Sequence, residues 1–150
     1  MAIARVYVSE DKAELVRNLR SAPGNTGPFR TYADVVTFAA VVGFNGSRKV
    51  PLDSYSRKEP DPVPQEQFRN ANIIGLVALA DSQDPAILRD DDDCDRQRVE
   101  IFQEYVNGGL EILATDLSGT VDYAEQLLLI LKVQKDAGQS DQEFDLSRFL

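Results

Sequence analysis

A chain of 150 residues, 43% hydrophobic and 27% charged, can bury roughly 68–70% of its unfolded surface as one domain without metal or disulfide staples. It has no histidine and a single cysteine, Cys94, which excludes Ser-His-Asp and Cys-His catalytic pairs, an internal disulfide, and a Cys/His zinc site within one monomer. The net charge of -9 is uneven, because residues 1–58 carry nine Lys/Arg against five Asp/Glu and residues 59–150 carry seven against twenty, so any contact with nucleic acid or an acidic protein belongs to the first part.

No charged region followed by an apolar run opens MAIARVYVSEDK, so no secretory leader is read there. The longest apolar run, near Leu127 to Leu131, is too short for a bilayer, and a cytoplasmic protein is expected. Residues 2–8 alternate, with Ala4, Val6 and Val8 on one side and Ile3, Arg5 and Tyr7 on the other, which predicts a short half-buried strand. Ser9 is the expected cap of a first helix running to about Arg20, with Glu10 and Asp11 in its first turn and Leu15, Val16 and Leu19 inward. Residues 21–28, SAPGNTGP, form a loop by turn chemistry. Thr31, with Asp34 three residues on, caps a second helix whose face is Val35, Phe38, Ala39 and Val42, and Gly43 is its expected terminator.

Residues 45–64 hold four of the seven prolines and the basic side chains Arg48, Lys49, Arg57 and Lys58. An irregular excursion of that length is either mobile or functional. Val63 to Phe68 suits a short extended piece able to pair with residues 2–8, confined by its prolines to a sheet edge. A third helix is expected over 70–81, and Asp84-Pro85 opens a turn carrying Ile87 and Leu88. The acidic run from Asp90 to Asp95 suits a solvated cap of the next helix and fits no EF-hand loop, which requires a glycine at its sixth position and a glutamate at its twelfth.

The organising stretch is Val99 to Leu117. Phe102, Val106, Gly109, Leu110, Leu113 and Leu117 make one apolar stripe at the helical period. Gly108 and Gly109 sit inside it, each costing about 1 kcal/mol relative to alanine. Either a neighbouring helix crosses closely there, or the helix stops at Asn107-Gly108 and restarts; a ligand or partner backbone is the functional counterpart. Thr120 is expected to cap a last helix in which Val121, Ala124, Leu127, Leu128 and Leu131 share a face while Leu129, Ile130 and Val133 cover the others. That pattern predicts a buried helix, placed here against the Gly108-Gly109 surface. The expected architecture is mainly α, one domain over residues 1–136 of about five helices with a short strand pair, followed by a polar tail over 137–150.

No catalytic, cofactor-binding or metal-ligating residue is assigned. Glu100 and Glu104 lie one turn apart and read as surface charges, and Asn107-Gly108-Gly109 follows no strand and precedes no lysine, so it is not a phosphate loop. Strand, helix, loop and helix over 2–43 also fit a ribbon-helix-helix layout, in which Arg5 and Tyr7 would face a DNA groove.

Gly27-Pro28-Phe29 leading to Thr31-Tyr32-Ala33-Asp34-Val35, then Phe38-Ala39-Ala40, Gly43-Phe44 and the downstream run IFQEYVNGGLEIL, resemble the DNA phosphorothioation-associated protein 4 family from about Arg5 to Leu131. The resemblance implies a bacterial system that replaces a phosphate oxygen of DNA with sulfur and restricts unmodified DNA through companion proteins. It implies no catalytic residue. A non-enzymatic accessory or scaffolding subunit is therefore expected, contacting companions through Gly108 and Gly109, through Arg48, Lys49, Arg57 and Lys58, or both. Direct DNA contact is limited to a weak or indirect one, no membrane is involved, and self-association is the remaining kind of partner.

Overall fold

The computed structural model describes residues 4–147 except 25 and 71, with side chains described as far as residue 136. Ser9 opens the first helical segment, but its hydroxyl bonds the Asp11 carboxylate and no backbone N–H. The first turn is accordingly a 3-10 turn, Glu10–Lys12, from which α1 (Ala13–Leu19) continues with Ala13, Val16 and Leu19 buried and Leu15 half-buried. Thr31 caps α2 (Tyr32–Asn45) as expected, its hydroxyl accepting from the Asp34 N–H at 3.1 Å. Gly43 does not end that helix. It lies two residues inside it, buried, where another helix passes.

The amino-terminal segment makes one antiparallel bridge, Val6 to Val63, with N–H···O distances of 2.9 and 2.8 Å. Val6 and Val8 are buried and Arg5 is exposed, as alternation requires. The second partner does not continue as a strand, because a 3-10 turn, Gln65–Gln67, follows Pro64 immediately. A parallel bridge, Arg20 to Phe29, closes the loop between α1 and α2.

Helix α3 (Ile73–Ser82) ends on Gln83, whose left-handed backbone (φ 55°) returns its N–H to the Leu79 carbonyl. Asp84 caps a 3-10 turn, Pro85–Leu88. Helix α4 (Asp92–Asp116) is the axis of the fold: Asp91 caps it by accepting from the Cys94 N–H at 2.7 Å, and Asp92, Asp93 and Asp95 occupy its first turn. It therefore starts seven residues before Val99 and runs unbroken through Gly108 and Gly109. Phe102, Leu110 and Leu113 are among its fully buried side chains, and Phe68 meets Phe102 edge to face at 5.7 Å.

The last helix, α5 (Tyr123–Ser147), departs from expectation in three respects. Asp122, not Thr120, caps it, accepting from the Glu125 N–H at 3.0 Å. Gly108 and Gly109 meet α2 and Arg48, not α5. And α5 is not a buried helix: Leu127 is buried and Tyr123 and Ile130 rest against the core, but Leu128, Leu129, Leu131 and Val133 are exposed. The reason is geometric, since α2 and α3 already cover the apolar faces of α4 and leave α5 a single seam. Its backbone continues past residue 136 to Ser147, into the stretch expected as a polar tail, whose side chains lie outside those described.

Candidate interaction surfaces

The two glycines of α4 are explained by backbone contact. A methyl carbon placed on Gly109 would stand 1.7 Å from the Ala39 carbonyl oxygen of α2, one on Gly43 2.1 Å from the Tyr105 carbonyl oxygen, and one on Gly108 1.9 Å from the Arg48 carbonyl oxygen. Gly43 and Gly109 thus let α2 and α4 touch main chain to main chain, while Gly108 seats the first turn of the proline-rich excursion. Both α4 glycines are buried, and the face that carries them is occupied by the chain itself.

The excursion is fastened along α4. Val50 N–H bonds the Glu104 carbonyl at 3.0 Å, and Asn107 Nδ2 donates to the carbonyls of Val50 and Pro51 at 3.3 and 3.2 Å. Arg48 pairs with Glu111 at 3.0 Å and Lys49 with Asp81 at 3.1 Å. Tyr105 donates its hydroxyl to the other Asp81 oxygen at 2.6 Å, with the Lys49 ammonium 5.8 Å from its ring. Burial and then the Asp81 bond push the Tyr105 hydroxyl up to about 12, and that hydroxyl, followed by Lys49, holds Asp81 below its ordinary value. Lys49, Asp81 and Tyr105 therefore work as a clamp between the excursion, α3 and α4. Arg57 and Lys58 lie apart from it, exposed on a separate cleft shared with Glu10, Asp11 and Glu14.

Arg5 and Tyr7 go to different places. Tyr7 stacks obliquely on Tyr55 at 5.2 Å. Arg5 joins Arg20 and Arg30 on a cleft of about 430 Å³ beside Thr31, Tyr32 and Glu59, with the Arg20 guanidinium 4.3 Å over the Tyr32 ring. A two-chain ribbon needs a free backbone edge. Here Ala4 N–H bonds Asp95, Tyr7 N–H bonds Gln103, Val6 pairs with Val63, and the Val8 carbonyl accepts from Ser56, so both edges are used within the chain.

Beyond these, α5 presents an uncovered apolar surface. Leu128 and Val133 are each 68% exposed and Val121, just before the helix, 90%. Leu128, Leu129 and Leu131 line a shallow groove bordered by Glu125, Lys132 and Lys135. Patches of this kind mark interaction sites on soluble proteins.

A family model, DNA sulphur modification system-associated protein 4, matches residues 5–149. The chain belongs to that family. No curated protein and no solved structure matches it. Membership in the DNA sulphur modification system-associated protein 4 family covers the carboxyl-terminal residues as well, which the sequence resemblance, ending near Leu131, left out.

In this family member the surroundings of Cys94 and Glu104 disfavour their charged forms. Desolvation and the neighbouring Asp91 carboxylate push the Cys94 thiol up, and its Sγ lies 3.4 Å from the Ala86 carbonyl, so it is a poor thiolate. Burial raises Glu104, with Glu100 and Asp81 adding to it against Lys49. Among the described residues no three or more acidic, cysteine or histidine side chains group closely enough to hold a metal ion, and no helix is long and apolar enough to cross a membrane. Sequence reasoning missed the Asp81–Tyr105 pair, whose partners are 24 residues apart with no periodic signal, and the Arg5, Arg20 and Arg30 cleft, assembled from three separate segments.

Proposed function

We propose that this chain is a non-enzymatic accessory subunit of a DNA sulphur modification system, acting by protein–protein contact. The observation that carries the protein-contact part is the leucine-rich face of α5, where Leu128 and Val133, with Val121 just before the helix, are the most exposed large apolar side chains among the described residues. Support for the non-enzymatic part comes from the titratable groups: Asp81 is taken up by Tyr105 and Lys49, Cys94 is kept protonated, and Glu104 is hemmed by its neighbours. Sulfur transfer and strand cleavage then belong to companions. Arg57 and Lys58, exposed and away from α5, are the basic side chains offered to them.

Co-purification with tagged companion proteins at gentle salt tests the proposal. Recovery of at least one companion in stoichiometric amount is expected; recovery of none overturns it. Titration with Mg²⁺ or Mn²⁺ in a calorimeter gives no binding heat on this view, and saturable heat would move the chain toward metal-dependent chemistry.

A second reading, weak contact with DNA, is favoured by the convergence of Arg5, Arg20 and Arg30 on one cleft. Phosphate contacts release counterions, so binding to duplex DNA would weaken steeply with salt and weaken further in Arg5→Ala. A flat salt response removes it.

A further inference from the structure

The α5 cap and the outward face of the helix have a symmetry in their charges. Asp122, Glu125, Leu128, Leu129, Lys132 and Lys135 follow one another at intervals of three, three, one, three and three. Reflected about the midpoint between Leu128 and Leu129, each acid meets a base: Glu125 maps onto Lys132 and Asp122 onto Lys135. The central four are at i, i+3, i+4 and i+7, one stripe of a helix, and this stripe is the exposed one, bordering the leucine groove with Lys135.

We infer that this face is covered by the α5 of a second copy, laid antiparallel across a twofold axis at Leu128 and Leu129. In that arrangement Leu128 and Leu129 of the two chains close against one another and Glu125 of each chain pairs with Lys132 of the other, twice, because a twofold interface uses the same patch from both sides. A parallel pairing would place Glu125 on Glu125 and Lys132 on Lys132, which repel. A foreign partner gives no reason for the mirrored spacing. The overlap from Asp122 to Lys135 spans about 20 Å of helix, short for a standard interface, so a reversible dimer is expected and not an obligate one.

This deepens the protein-contact reading by naming the occupant of the α5 face, and it is tested on the purified full chain with no companion present. Sedimentation over a concentration series should move from the one-chain to the two-chain mass. Leu128→Asp, at an exposed position, should keep the circular dichroism spectrum of the parent and lose the dimer. Glu125→Lys and Lys132→Glu should each weaken self-association about tenfold or more, since two attractive pairs become repulsive, and an equimolar mixture of the two should recover it, because every pair is then opposite in sign. A chain monomeric throughout, a dimer indifferent to either charge reversal, or variants that do not complement on mixing would each overturn the inference. Companion recovery with a monomeric chain would overturn it while leaving the accessory role standing, and a dimer that recovers no companion would do the reverse.

Discussion

Helices α4 and α5 are both 25 residues long and both carry an apolar stripe, yet their fates differ. In α4, ten residues are buried, including Gln103, Asn107 and both glycines; in the described part of α5 only Leu127 is. Apolar content does not separate them, since α5 has the longer apolar run. What separates them is shape. Gly109 of α4 faces Gly43 of α2, so two backbones come into contact and Ala39, Ala40, Val106 and Leu110 around that point are buried. Helix α5 has leucines at every angle but no notch in which a neighbour could seat them, and most remain in water.

The contrast is sharpest at Gly109. In Gly109→Ala the new methyl overlaps a carbonyl oxygen that no rotamer change can move, so a loss exceeding about 4 kcal/mol, or failure to fold, is expected in urea denaturation. A tolerated alanine there would mean the helices do not cross as described. Leucine truncation compares the two helices directly. Leu110→Ala should cost roughly 2–5 kcal/mol, as for other fully buried leucines, whereas Leu128→Ala, measured at a concentration where the chain is monomeric, should stay within about 0.5 kcal/mol.

Between these extremes lies the clamp on the excursion. Tyr105→Phe removes a hydrogen bond to an ionised carboxylate and should cost about 2 kcal/mol. Its pH signature has two arms. Asp81 is held below its ordinary value in the folded chain, so its contribution is present above that value, near pH 4, and fades as pH falls through the lowered one. Tyr105 is raised, so its contribution is present below pH 10 and fades as pH climbs toward 12. Thermal melts across pH should show both losses in the parent and a smaller alkaline loss in Tyr105→Phe. The smallest effect is expected of Arg48→Ala, whose pair with Glu111 is half in solvent and worth at most about 1 kcal/mol.

Local features of this fold were legible before any coordinates. The Thr31 cap, the alternation through Val6 and Val8, the Asp84-Pro85 turn and the stripe from Phe102 to Leu113 depend on residues within a few positions of one another, where propensity and periodicity act. Even the cost of Gly108 and Gly109 pointed to a close crossing. Sequence could not name what crosses there, because α2 lies more than sixty residues earlier and small residues fit any neighbour equally well. Burial of α5 failed for a related reason: an apolar pattern states how much surface seeks cover and not whether the same chain supplies it. Residue order alone carried the helices, the Thr31 cap and the family; only the tertiary structure decided that α2 fills the glycine notch and α5 stays uncovered, because the room around α4 is finite and is taken by the helices that approach it most closely.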